Sequence, residues 1–463
     1  MSQPDATPAD APGEKPPNEP NEPNLRARML RSSVFELGGY GAQQVLRLVS
    51  NLILTRLLFP AAFGLVSIVN VLLTGLVLLS DLAIQPCVIQ SKRGDEPAFL
   101  NTAFTIQVIR GSALTVVMLL IAKPAAWFYR EPQLESLIYF GSLQLLLQGF
   151  HSTSIFTLRR ALRVGWINAL ELGQSVVGLT VMITLARRGW GVWSLIIGMV
   201  LGTFLFSSIS HILPVPYRNR FHIDKEASKE ISHFGRWVLG SSAAQFLGAQ
   251  SDRLLMGRLL NATWLGVYTV AGTLSEAASA VINRLVNGVM YPVLSQAARS
   301  PDGKLPELYY RLRLRLDAVS MSGTGLLAGA GGWIVHVLWD KRYTDAAWIL
   351  RILCFRVAVS LIVGPSETCL FSLGHTRYGF KRSVVRLVAA AVCIPLGWYL
   401  GGVRGLVWGT VATEASTVFV IWPKLRELGI LRYRRELLSI GIFTAAFALG
   451  AAVMPWLPQL HVR

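Results

Sequence analysis

The chain has 463 residues, 52% of them hydrophobic and only 15% charged, well below the roughly 25% charged of a soluble globular domain. A mean hydropathy of +0.46 spread along most of the length excludes an ordinary soluble enzyme and points to an all-α polytopic membrane protein. The 44 Lys and Arg against 26 Asp and Glu give a formal charge of +18, whose meaning depends on where those charges sit.

Residues 1–24 are rich in proline, carry the near-repeat Asn18-Glu19-Pro20-Asn21-Glu22-Pro23-Asn24 and hold almost no apolar side chain. Burial cannot offset the entropy of ordering them, so a disordered cytoplasmic tail is expected, with no cleavable signal peptide. From there, apolar stretches of bilayer-spanning length predict about 12–14 transmembrane helices, with thirteen the best count. They fall near 34–55, 63–83, 101–121, 134–156, 166–186, 190–213, 236–252, 265–290, 316–338, 345–371, 384–400, 403–423 and 437–457. Lys and Arg crowd the N-terminal flank and the even-numbered loops, as at Lys92-Arg93, Arg159-Arg160-Arg163, Arg311/Arg313/Arg315 and Arg432/Arg434/Arg435. The odd-numbered loops hold fewer than half as many. The surplus charge is therefore topological, the N-terminus is cytoplasmic, and nucleic acid is not an expected partner. The segment 437–457 is apolar enough to span, but Pro455 and Pro458 at its end leave an interfacial helix as the alternative.

Two echoes mark an internal repeat. Arg56-Leu57-Leu58 followed by Phe63-Gly64-Leu65-Val66 returns 202 residues later as Arg258-Leu259-Leu260 followed by Leu265-Gly266-Val267-Tyr268. Gly191-Val192-Trp193-Ser194-Leu195-Ile196-Ile197-Gly198 returns at an offset of 211 as Gly402-Val403-Arg404-Gly405-Leu406-Val407-Trp408-Gly409. An even number of spans separates the copies, so they share one orientation, as two parallel six-helix repeats around a central cleft. The expected organisation is a six-helix bundle at 25–213, a cytoplasmic linker at 214–235 suited to a surface amphipathic helix, a second bundle at 236–425, and an additional hydrophobic segment and tail at 426–463.

Ionisable side chains are costly at bilayer depth, and those retained face a cavity or one another. The mid-helix set is Arg47, Arg110, Glu276, Arg284, Arg356, Glu367 and Glu414, with interhelical ion pairing as the plainer reading for Arg110, Arg356 and Glu414. Asp81, Asp252, Glu36 and Arg386 fall near helix ends, where snorkelling explains them. Glu276 and Arg284, about two turns apart, share one helix face. Arginine forks bind phosphate oxygens bidentately, so Arg47 and Arg284 suit a pyrophosphate head group. Gln43, Asn51, Asn70, Gln250 and Asn283 enrich the first, second, seventh and eighth spans in amides able to meet sugar hydroxyls. Glu36, Glu276 and Glu367 are the candidates for ion coupling. Trp190, Trp193, Trp264, Trp339 and Trp348 sit near span ends, as an aromatic belt would place them. Cys87, Cys354, Cys369 and Cys393 lie in apolar settings without metal-ligand spacing and read as packing residues. There is no Walker A loop, no HExxH and no GxSxG, so no catalytic residue, cofactor or metal is expected.

The run Leu54-Thr55-Arg56-Leu57-Leu58-Phe59-Pro60-Ala61-Ala62-Phe63-Gly64-Leu65, with Asp81-Leu82-Ala83-Ile84-Gln85-Pro86-Cys87-Val88-Ile89-Gln90 after the next span, resembles the opening of bacterial polysaccharide flippases of the multidrug/oligosaccharidyl-lipid/polysaccharide exporter superfamily. Asp252 to Leu260, Leu265-Gly266-Val267-Tyr268 and Tyr291-Pro292-Val293-Leu294-Ser295 resemble the second-half signature. The resemblance implies a multi-pass protein of the bacterial inner membrane that moves undecaprenyl-pyrophosphate-linked oligosaccharide to the periplasmic leaflet by alternating access. Polysaccharide polymerase and chain-length proteins are its possible partners. A membrane-embedded polymerase or ligase would need larger external loops, and a drug or cation exporter of the same superfamily a more acidic lumen.

Overall fold

The computed structural model describes residues 22–214, 217–299 and 305–453, and among them the chain is helical with no strand. The first half runs α1 (Glu22–Leu57), α2 (Pro60–Leu79), the short α3 (Ile84–Gln90), α4 (Pro97–Tyr129), the broken pair α5 (Gln133–Gly141) and α6 (Leu143–Gly149), the short α7 (Ser154–Arg160), then α8 (Val164–Arg187) and α9 (Val192–Ser210). The second half runs α10 (Lys225–Leu259), α11 (Ala262–Leu285) with a π turn leading into α12 (Tyr291–Arg299), α13 (Leu305–Leu338), α14 (Ala346–Ser372), α15 (Arg377–Ser416), α16 (Val418–Glu427) and α17 (Tyr433–Val453). Pro60 and Pro97 open α2 and α4, where a missing N–H is harmless. Asp224 and Asn261 cap α10 and α11 by accepting from Ala227 N (2.7 Å) and Trp264 N (2.9 Å).

Every predicted span falls on a helix, with three differences. The tail was expected to run to residue 24, but α1 already begins at Glu22; residues 1–21 lie outside the described residues. Segment 134–156 is two short helices broken at Ser142, followed by a turn at 150–153 and the start of α7, and 384–400 with 403–423 share one helical run folded at Gly401-Gly402. Nine helical runs among the described residues are long and apolar enough to cross a bilayer. The long helices α1 and α10 are not among them, being too polar over their length, and part of that polarity lines an interior cavity.

Both sequence echoes have a backbone counterpart. Gly191 (φ +54°, ψ −131°) and Gly402 (φ +55°, ψ −138°) adopt the same glycine-only conformation, one turning α8 back onto α9 and the other folding α15 on itself. At the other echo the helices cross. A Cβ on Gly64 would stand 2.0 Å from the Ala262 carbonyl oxygen, and one on Gly266 1.7 Å from that of Pro60. Since 62 and 64 correspond to 264 and 266, and 60 to 262, each copy meets the other's counterpart. That is the reciprocal contact of a two-fold interface.

The surface helix expected in the 214–235 segment is not formed over residues 217–224. Residues 218–224 run extended along the start of α4, where His222 N donates to Thr105 Oγ1 (3.0 Å) and Asp224 N to Thr102 Oγ1 (2.8 Å). Burial pushes the Tyr217 phenol up to about 12 against the lowering charge of Arg220, so it stays a donor, to Asn101. Helix α10 then begins, and Ala227 and Ile231 pack against Val88, Phe99 and Leu100.

Helix α17 covers the described part of the 437–457 segment. It is long and apolar enough to span, and it lies so close along α13 that a Cβ on Gly329 would meet the Phe447 carbonyl at 2.4 Å. At its start a buried network fixes it. Arg313 binds Glu436 bidentately (2.7 and 2.5 Å), reaches Asp317 (3.2 Å) and donates to the Tyr309 hydroxyl (2.5 Å). Arg313 was counted among loop charges. The helical period instead turns it inward with Tyr309 and Asp317 while Arg311 and Arg315 stay exposed.

Candidate functional site

Between the two halves lies a central cavity of about 280 Å³, walled by α1, α2, α8, α9, α10 and α11. Its polar lining includes Arg47 and Asn51 on α1, Asn70 on α2, Gln250 and Arg253 on α10, and Glu276 on α11. Arg47 to Asn51 and Gln250 to Arg253 are each one helical turn, so each helix turns a single face inward. Arg253 pairs with Glu276 and also donates to Gln250 Oε1 (3.2 Å). Asn51 is fixed from both sides. Its Nδ2 donates to Thr273 Oγ1 (3.5 Å) and its Oδ1 accepts from Trp339 Nε1 (3.3 Å). Leu54, Phe63 and Val66 form the apolar part of the wall, beside the Gly64–Gly266 crossing. Two guanidinium groups against one carboxylate leave the cavity cationic, suited to an anionic group accompanied by hydroxyls.

The structure thus brings together five of the eight residues expected in the cleft: Arg47, Asn51, Asn70, Gln250 and Glu276. It does not bring the other three. Arg284, expected on the face of Glu276, lies with its guanidinium 4.4 Å from the centre of the Tyr40 ring. Asn283 is exposed and outside the cavity lining. Gln43 lines a second chamber of about 720 Å³ inside the first half and donates to Glu171 Oε2 (3.0 Å). Of the carboxylates considered for ion coupling, Glu276 is paired with Arg253 and Glu367 with Arg382; the side chain of Glu36 lies outside the described residues.

Other charges are more deeply engaged than their sequence positions suggested. Asp252 does not snorkel. It is buried, paired with Arg356 (2.7 Å), and accepts from the Tyr268 hydroxyl (2.9 Å). Glu414 joins Arg382 (2.8 Å) and Arg386 (3.3 Å), as interhelical pairing predicts for Glu414 and Arg356 but not for Arg386. Arg110 is half-buried and spends its guanidinium on Ser80 Oγ (3.1 Å) and the Val77 carbonyl (2.5 Å) rather than on a carboxylate. Trp339 is buried against Asn51 rather than placed in a belt. In the loop before α14, burial would raise the Asp340 carboxyl, but hydrogen bonds from the Arg342 side chain and backbone hold it below the usual range. That ion pair aims Arg342 at the Arg56 carbonyl (2.9 Å), closing the C-terminus of α1. Cys87, Cys354 and Cys369 are buried thiols and Cys393 is half-buried.

Arg253 was missed as a cavity residue. The signal was available, since it follows Gln250 by three residues on one helix face, but the expected span stops at 252, one residue before it.

A family model described as polysaccharide biosynthesis protein matches residues 53–348. The lipopolysaccharide biosynthesis protein WzxC of Escherichia coli (strain K12) is 20% identical over 401 residues, covering 85% of this chain and 80% of its own length. The succinoglycan biosynthesis transport protein ExoT of Rhizobium meliloti (strain 1021) is 21% identical over 383 residues, covering 82% and 77%. Among solved structures, the lipid II flippase MurJ in an inward closed conformation matches with a TM-score of 0.73 at 10% identity, over 92% of this chain and 94% of its own. The eukaryotic MATE transporter AtDTX14 matches at 0.57 and 13% identity, over 90% and 100%. At such identities the structural likeness is one of fold, that of multi-helix membrane transporters. On its sequence match and on this architecture, the chain is a multi-pass membrane protein that belongs to the polysaccharide biosynthesis protein family.

Proposed function

We propose that the protein is a transporter, not an enzyme, that flips undecaprenyl-pyrophosphate-linked oligosaccharide from the cytoplasmic to the periplasmic leaflet by alternating access. The observation that carries this reading is the cationic, amide-lined cavity between the two halves, where Arg47 and Arg253 converge with Asn51, Asn70 and Gln250. Arginine forks match the oxygens of a diphosphate and the amides match sugar hydroxyls. An excess of Arg over carboxylate disfavours a cationic drug as cargo. At the end carrying the starts of α2 and α11 the two halves touch at the Gly64–Gly266 crossing. With a cytoplasmic N-terminus that end is periplasmic, so substrate is loaded from the cytoplasmic side. A bacterial inner membrane location, and work beside a polymerase and a chain-length protein, follow from the same reading.

The test is the leaflet location of lipid-linked oligosaccharide in cells lacking the protein, read with an impermeant glycan-modifying probe. Precursor trapped out of the probe's reach is the expected result. Precursor that reaches the periplasm yet stays unpolymerised would make the protein a polymerase, ligase or assembly partner instead. Within the cavity, Arg47→Ala is expected to reduce export by about tenfold or more with the protein still inserted, and Arg47→Lys to restore it only in part, because ammonium lacks the bidentate fork. Full export by Arg47→Ala would remove Arg47 from the binding site.

A further inference from the structure

The central cavity and the chamber within the first half lie at successive levels along the same helices. On α1, Arg47 lines the central cavity and Gln43, one turn earlier, lines the chamber. On α2 the same step runs from Thr74 to Val77, on α8 from Met182 to Gln174, and on α9 from Met199 to Phe206. Four helices therefore carry wall residues of both spaces, displaced along their axes by roughly 5–12 Å at 1.5 Å per residue.

The two levels differ in chemistry. The central one is cationic. The chamber is electrically balanced, with Arg110 and Arg159 against Asp81 and Glu171. Glu171 takes Arg159 Nη2 (3.3 Å) and Gln43 Nε2 (3.0 Å), and Arg110 is consumed by Ser80 and Val77. What remains is amide, from Gln85, Gln148 and Gln174, since Gln107 Nε2 is spent on the Gln148, Gly149 and His151 carbonyls, and an aromatic wall in which the His151 ring packs on Phe206 with centroids 4.7 Å apart. Two buried polar atoms of the lining, His151 Nε2 and Arg159 Nε, have no hydrogen-bond partner among the described residues. Leaving such atoms unpaired is costly, and a ligand rich in hydroxyls would supply partners. A second anion would find no net positive charge there, and an apolar molecule would strand the amides.

Building on the transport reading above, we propose that this chamber is the saccharide subsite. The diphosphate is held at Arg47 and Arg253, and the neutral sugars of the head group enter the amide-lined interior of the first half rather than filling the gap between the halves. Gln148 and Gln174 then decide which head groups are accepted, while the arginines recognise the anchor common to all.

The experiment uses the full-length protein in nanodiscs and two probes, undecaprenyl diphosphate without sugar and the lipid-linked oligosaccharide extracted from cells lacking the transporter. The double variant Gln148→Leu/Gln174→Leu is expected to bind the sugar-bearing lipid about tenfold more weakly and the bare diphosphate within about twofold of the parent. Arg253→Ala is expected to weaken both. Retained binding of the bare diphosphate shows that the variant is folded. Unchanged affinity for both lipids, or an equal loss for both, would overturn the saccharide subsite while leaving the Arg253 result to stand for the transport reading. Failure of the parent protein to bind either lipid would overturn both.

Discussion

Arg253 and Glu276 define the central cavity at the level of single residues. In the transport reading, the ion pair holds a guanidinium ready in the cavity while neutralising it until a competing anion arrives, as the side-chain exposures of 22% and 38% allow. A diphosphate that displaces Glu276 exchanges one carboxylate for a bidentate partner of higher charge. Glu276→Gln removes the competitor, so diphosphate binding is expected to tighten about tenfold, and turnover to fall because release slows. Equilibrium binding and export measured on the same variant check this. Weaker binding would mean that Glu276 positions Arg253 rather than guarding it.

Among the helices, α17 shows how a terminal element is held. Its apolar face packs on α13 through the small residues Gly325, Gly329 and Gly450, and its first turn inserts Glu436 into the Arg313 network. Within a bilayer, close packing and buried polar bonds hold helices together, since lipid is as apolar as the helix surface. Glu436→Gln keeps the shape but leaves the Arg313 charge, at 1% exposure, to Asp317 alone. Breaking such a pair costs about 3–5 kcal/mol, so a lower thermal midpoint in detergent is the expected outcome. An unchanged midpoint would assign the stability of α17 to its glycine packing.

For the whole molecule, the Gly64–Gly266 crossing is where the halves close on one another. Helices can approach this nearly only without a Cβ, and the contact is made twice by the repeat. In the alternating-access reading it forms in one state and opens in the other. Gly266→Val would drive a side chain into the Pro60 carbonyl. The expected result is a longer distance between spin labels at Arg56 and Thr263, with export lost because the closed state is no longer reached. An unchanged distance would place the hinge elsewhere.

The sequence by itself determined the membrane class, the position of the long helices and the repeat. These follow from local periodicity, apolar run length and recurring residues, none of which needs a partner in space. The pairing of the two copies at Gly64 and Gly266, the break at Ser142, the extended run over 218–224, the inward turn of Arg313 and the removal of Arg284 and Gln43 from the central cavity were decided only by the tertiary structure. Each depends on which helix stands opposite. A side chain's depth is legible from its position along one helix, whereas its partner, and so whether it faces ligand, lipid or an opposite charge, is set by residues hundreds of positions away, as Asn51 and Trp339 show.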